Sequence, residues 1–148
     1  MSEDLLFQPG RIGSAEFRNR ILRAGTSESM AEPDTGVMTP SLLSLYERLA
    51  ANGVGGIITG HLYVHPRGRY ARGQTGIHHD DTLAGLRSLT DAVHRHGGTI
   101  FAQLAHAGSQ SRVPGNTPLA PSPVPNPLTG NDVAGATDPE VEEAVEAF

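Results

Sequence analysis

The sequence contains no cysteine, so a disulfide framework, a thiolate nucleophile and a thiolate metal site are all out of reach. This suits a reducing cytoplasm. No apolar run approaches the roughly 18 residues a membrane-spanning helix needs. The acidic start, Met1-Ser2-Glu3-Asp4, lacks the basic-then-apolar signature of a secretory leader, and a cytoplasmic location with no membrane partner is expected. Positive charge is in short supply, with 11 Lys and Arg against 16 Asp and Glu and a net charge of −5. Nothing electrostatic therefore points to nucleic acid or an anionic surface. There is no Gly-x-Ser-x-Gly elbow for a hydrolase nucleophile and no His-Glu-x-x-His zinc motif.

What is present is enough for one globular domain: 148 residues, 37% hydrophobic and 18% charged. Residues 1–20 read as an N-terminal segment that plugs the end of a barrel or forms a small hairpin. Residues 20–26 follow as a strand ending in small residues, Ala24-Gly25-Thr26, which let a flat ligand approach the backbone. Thr39-Pro40 is a helix start, with Leu42, Leu45, Tyr46 and Leu49 on one apolar face and Asn52-Gly53 as its end. Residues 54–59 form a continuous apolar strand of the kind covered on both sides. A loop of about twenty residues is expected over 60–79. Asp80 and Asp81 then cap a second helix, with Leu83, Leu86, Leu89, Thr90 and Val93 on its buried side and His94, Arg95 and His96 at its negative end. Gly97-Gly98 stops that helix.

The next stretch, residues 99–108, reads as a short buried strand that ends in polar groups. Gln103 stands at its carboxyl end, where parallel α/β proteins gather their ligands. A carboxamide offers one acceptor and two donors, which matches the carbonyl-and-N–H edge of a flavin pyrimidine ring or a nucleobase; a buried amide satisfying backbone groups reads equally well. His106 reads as an acid/base group or as an anchor of its loop. Prolines 114, 118, 121, 123, 125 and 127 rule out regular helix and central strand over 105–136, leaving a linker or a loop packed over a site. Thr137-Asp138-Pro139-Glu140 starts a third helix over 137–148. The seven histidines show no metal-ligand pattern, since His61 and His65 fall in a loop without carboxylates beside them; no metal site is expected. Glu142, Glu143 and Glu146 read as a solvated helix face, and no catalytic residue is assigned.

Strand, helix, strand, helix, strand, long loop, helix makes about three βα units of an α/β protein. A (β/α)8 barrel has eight such units over typically about 250 residues; a flavodoxin-like sheet fits the length but needs five strands.

Several segments in this order resemble the N-terminal part of the Old Yellow Enzyme family of NAD(P)H:flavin oxidoreductases. They are Phe7-Gln8-Pro9 with Ile12-Gly13, Asn19-Arg20-Ile21-Leu22-Arg23-Ala24-Gly25-Thr26, and Gly53 through His61. Val64-His65-Pro66-Arg67-Gly68-Arg69, Asp91-Ala92-Val93-His94 and above all Gly97 through Gly108 complete the match. The resemblance implies an incomplete TIM barrel with FMN at the carboxyl ends of its strands. Ala24, Gly25 and Thr26 would lie against the isoalloxazine, Gly60 would line it from the second strand, and Gln103 would bond its pyrimidine edge. A hydroxyl near flavin O4 would tune its potential. Many members carry Pro-Met where this chain has Gly25-Thr26, and an Arg where it has Ser109. The family's substrate-anchoring His pair, its proton-donating Tyr, its phosphate loop and the basic group near flavin N1 belong to later strands.

The implied activity is FMN-dependent reduction of activated alkenes or related acceptors with NAD(P)H, the partners being flavin and a small-molecule acceptor. The competing expectation is a non-catalytic truncated fragment, or a half-barrel that needs a complementary chain or self-association to cover its open sheet edge. In either case Ala24, Gly25, Thr26, Gly60 and Gln103 are expected to converge at one end of a parallel sheet.

Overall fold

The computed structural model describes residues 4–130 and 132–148. The acidic Met1-Ser2-Glu3 start, and Asn131 of the proline-rich segment, lie outside the described residues. A single 3-10 turn (Leu5–Phe7) leads into an antiparallel hairpin of β1 (Gly10–Ile12) and β2 (Ala15–Phe17). The hairpin turns at Gly13, whose φ of 59° favours glycine. Then come β3 (Leu22–Arg23), α1 (Pro40–Ala51), β4 (Gly56–Tyr63), α2 (Leu83–Arg95) and β5 (Thr99–Ala105). These strands form one sheet in the order β3-β4-β5, and both pairings are parallel.

Helix α1 begins as the sequence requires: Thr39 Oγ1 accepts from the Leu42 N–H at 3.2 Å, and Pro40 takes the first helical position. Its buried stripe is Leu42, Tyr46 and Ala50. These pack with Leu89 and Val93 of α2 and Ile57 of β4 into the core, while Leu45 and Leu49 flank it half-buried. Helices α1 and α2 thus cover one face of the sheet. On the other face the Phe17 ring meets Phe101, centroids 6.1 Å apart, and Phe101 remains 43% exposed. Arg18 fastens the hairpin to both helices. Its guanidinium donates to Ala50 O at the end of α1 (2.6 Å), to His96 O beyond α2 (2.7 Å) and to Val54 O (2.8 Å), a cation placed against the negative ends of two helices.

Several boundaries differ from the sequence reading. The first strand is two residues long rather than 20–26; beyond Arg23 the Ala24 carbonyl and the Thr26 hydroxyl are met by the Arg23 guanidinium instead of a ladder. The second strand runs 56–63 rather than 54–59. Val54 and Gly55 are taken up in a turn, with their N–H groups donating to Leu49 O and Ile21 O. Pairing with β5 continues to Tyr63, so the expected loop over 60–79 begins inside a strand. Asp80 and Asp81 are not helix caps. They lie in a 3-10 turn (Asp80–Thr82) capped by His79, whose Nδ1 accepts from the Asp81 N–H at 3.3 Å. Leu83, expected on the buried side, is 43% exposed at the first turn of α2.

The proline-rich segment is a packed loop. Within it β6 (Leu119–Ala120) and β7 (Ala134–Gly135) pair in parallel. The prolines flank these pairs and supply only acceptors, as Pro118 O does to the Ala134 N–H. Helix α3 (Asp138–Glu146) docks on the loop after β4. Arg67 reaches Glu140 at 2.5 Å, and His65 Nε2 lies 3.2 Å from Glu143, so Glu143 stands against a side chain and is not merely solvated. Among the described residues no barrel is closed, and no helix is long and apolar enough to cross a membrane.

Glu140 also accepts from the Thr137 N–H and hydroxyl, both at 2.9 Å. The Thr137 N–H first, then Arg67, lower its pKa from 4.5 to about 2. The folded value lies below the unfolded one, so its contribution is complete above pH about 4.5 and is lost as pH falls toward about 2. Protection of the α3 amides, taken relative to their intrinsic exchange rates, is expected to fall through that window, and Glu140→Gln to remove most of the acid-dependent component. Identical acid profiles for the two proteins would count against this anchor.

Candidate functional site

The carboxyl end of the sheet is shaped by a bulge. Ile58 pairs with Phe101, but the next pair is His61 with Gln103, so β4 carries one residue more than β5 between them. A bulge leaves backbone groups outside the ladder, and here two hydroxyls take them. Thr59 Oγ1 accepts from the Gln103 N–H at 3.0 Å, and Tyr46 Oη accepts from the Gly60 N–H at 2.8 Å.

The sequence-predicted residues gather around this bulge. Gly25 faces the Gln103 side chain so closely that a Cβ would collide with its Oε1 and stand 2.9 Å from Thr59 O. At Gly60 a Cβ would collide with Glu28 Oε2 and with Thr26 O. Gly60 is therefore mid-strand, at the bulge, and not at the strand's end. Gln103 is exposed, and its carboxamide bonds to no described residue. Ala24 and Thr26 are exposed on the segment beside Gly25. The Thr26 hydroxyl accepts from Arg23 and donates to Ala24 O at 3.3 Å, which engages it within its own loop.

Behind these residues lies a polar relay that the sequence reading missed. Arg23 pairs with Glu28 at 3.3 Å, and the Glu28 side chain is only 9% exposed. Tyr46, read as a core residue of α1, accepts from the Gly60 N–H with the Glu28 carboxylate near its hydroxyl. Burial first, then Glu28, push its phenol far above the usual tyrosine range, which keeps it neutral. Tyr46 thus accepts from a buried N–H beside a carboxylate. Its helical spacing showed only that it faces inward.

His61 was also misplaced: it lies in β4 and not in a loop. Its Nδ1 is 2.6 Å from Gln74 Nε2, and its ring meets Tyr70 edge-on at 5.8 Å between centroids. Arg112 stands over the other ring, 5.3 Å from the Tyr70 centroid. His106 packs on Gly68, stacks with His65 at 6.5 Å and accepts at Nδ1 from the Gly108 N–H. Burial first, then His65 and Arg67, lower its pKa. These contacts are those of a loop anchor.

A family model described as the NADH:flavin oxidoreductase / NADH oxidase family matches residues 5–148. The chain belongs to this family. It is similar to an NADH oxidase of Thermoanaerobacter brockii, with 38% identity over 148 residues, covering 97% of this chain and 22% of that protein. It is similar to an NADPH dehydrogenase of Halalkalibacterium halodurans, with 32% identity, covering 99% and 43%. The structure superposes on the Old Yellow Enzyme from Pichia sp. AKU4542 with a TM-score of 0.87 and 25% identity, covering 97% of this chain and 40% of that one. The chain thus spans less than half the length of these relatives.

In this family member the Tyr46 hydroxyl is expected to hold the bulge. Tyr46→Phe leaves the buried Gly60 N–H without its acceptor, and a loss of about 1–3 kcal/mol in urea unfolding is expected. An unchanged midpoint would mean that the bulge finds another acceptor.

Proposed function

We propose that this chain forms the first three strand-and-helix units of an FMN-dependent NAD(P)H:flavin oxidoreductase of Old Yellow Enzyme type, a (β/α)8 barrel acting in the cytoplasm on activated alkenes or related acceptors. In this reading Ala24, Gly25, Thr26, Gly60 and Gln103 lie against the flavin. The observation that carries it is the Gln103 carboxamide, exposed and unpartnered among the described residues at the carboxyl end of a parallel sheet. Its two donors and one acceptor fit the alternating groups of a flavin pyrimidine edge. Glycine at 25 leaves room for that amide beside the Thr59 carbonyl, and glycine at 60 leaves room for the Glu28 carboxylate and the Thr26 carbonyl. FMN, when bound, supplies the hydride-transfer chemistry; the chain's own residues orient the ring and present backbone to it.

A second reading is a non-catalytic half-barrel completed by another chain or by self-association. The outer edge of β5, with Phe101 43% and Leu104 40% exposed, favours it, since an open apolar edge invites pairing.

Titration of FMN into the purified 148-residue chain, followed by addition of NADPH and an enone, tests how much of the flavin site these residues supply. The phosphate-binding groups belong by resemblance to later strands, and two or three missing charge-assisted bonds weaken binding by on the order of 10²–10⁶. Weak FMN binding without turnover is therefore expected of this chain by itself. Micromolar binding with steady NADPH oxidation would show that these residues suffice for catalysis.

A further inference from the structure

The side-chain cluster above the bulge fixes the protonation geometry of His61. Gln74 is 4% exposed, and its Oε1 lies 2.6 Å from the Tyr70 backbone N. A backbone N–H can only donate, so that atom is the amide oxygen and the Gln74 NH2 must face the other way. There it lies 2.6 Å from His61 Nδ1 and 3.0 Å from His61 O. Nδ1 therefore accepts, and the ring proton of neutral His61 sits on Nε2. Nε2 bonds to no described residue, and among the described residues only His78 Nδ1 is a buried polar side-chain atom without a partner, so Nε2 reaches solvent. His61 and Gln103 are register partners in a parallel pair, which places both side chains on the same face of the sheet, opposite α1 and α2.

We propose that His61 is a specificity-determining residue of this site: its Nε2–H is a fixed donor beside Gln103 for an acceptor oxygen, supplied by the flavin carbonyls or by the carbonyl of the second ligand. Gln74, Tyr70 and Arg112 are its positioning residues. This rests on the flavin reading above, so the test reports on Gln103 as well as on His61.

The experiment is imidazole and side-chain amide NMR on the 15N-labelled chain in mildly alkaline buffer, first free, then with FMN, then with an enone added. In the free chain His61 is expected to carry its proton on Nε2; a proton on Nδ1 overturns the assignment. With FMN, a shift of both the Gln103 amide and His61 Nε2–H assigns the acceptor oxygen to the flavin. A shift of Gln103 with FMN followed by one of His61 only with the enone assigns it to the second ligand. Movement of Gln103 without His61 in either step overturns the role of His61 while leaving the flavin reading intact. With FMN raised to millimolar concentration, so that the weakened site expected of this chain is filled, movement of neither overturns both.

Two variants separate donation from packing. His61→Gln places an N–H near the Nε2 position, whereas His61→Asn keeps a group at Nδ1 for Gln74 and loses the outward donor. The Asn variant is expected to bind the responsible ligand about three- to tenfold more weakly, with Gln recovering most of that loss. Equal affinity for all three proteins, with unchanged thermal unfolding, would leave His61 with no part in binding.

Discussion

The one extra residue in β4 between Ile58 and His61 is the constraint from which the rest of this site follows. A strand presents alternate residues to alternate faces. Without the bulge, Ile58, Gly60 and Leu62 would share the inner face, and His61 would point toward the helices. With it, His61 stands beside Gln103 while Leu62 pairs with Leu104 on the other face, where Leu62 is buried. The irregularity is stable because both N–H groups it strands are met by hydroxyls, Thr59 Oγ1 within the bulge and Tyr46 Oη from α1. An unmet buried N–H costs about 1–3 kcal/mol, so a strand with apolar residues at both places would relax to regular pairing. The glycine at 60 is the complementary requirement, since Glu28 and the Thr26 carbonyl come too close for any side chain there.

The supporting layer is held from outside the sheet by arginines. Arg18 ties the N-terminal hairpin to the carbonyl ends of both helices, and Arg67 ties the loop after β4 to α3. Arg69, buried among the Pro33, Asp34 and Ala71 carbonyls, fixes the segment leading to α1. The Arg18 and Arg69 guanidinium groups satisfy carbonyls that no regular ladder reaches, as loops of this length require. Among the described residues the β5 edge is left without such cover, and its Phe101 and Leu104 are exposed.

Much of the framework was legible in the chain. Thr39-Pro40, the spacing of Leu42, Tyr46, Leu89 and Val93, and the continuous apolar runs before Thr59 and Gln103 led to two helices between three parallel strands, because caps and periodicity act over a few residues. The family resemblance was legible as well, carried by the order of many short segments. The meeting of Gly25 and Gln103 also followed from strand polarity alone, since the carboxyl ends of parallel strands share one side of a sheet, whereas Gly60 joins them through the bulge.

Strand ends, the bulge and the chemistry around it were decided only by the tertiary structure. Whether Ala24 stays in the ladder depends on what the Arg23 guanidinium finds, and a bulge has no periodic signature. Tyr46 looked like any apolar helix position because its ring is buried; that its hydroxyl meets a strand N–H and a carboxylate is a matter of how α1 lies on β4. His61 looked like a loop histidine, and only Gln74, thirteen residues away, determines which of its nitrogens bears the proton. Local sequence sets which groups are available, and contacts distant along the chain set which of their polar atoms remain free to bind.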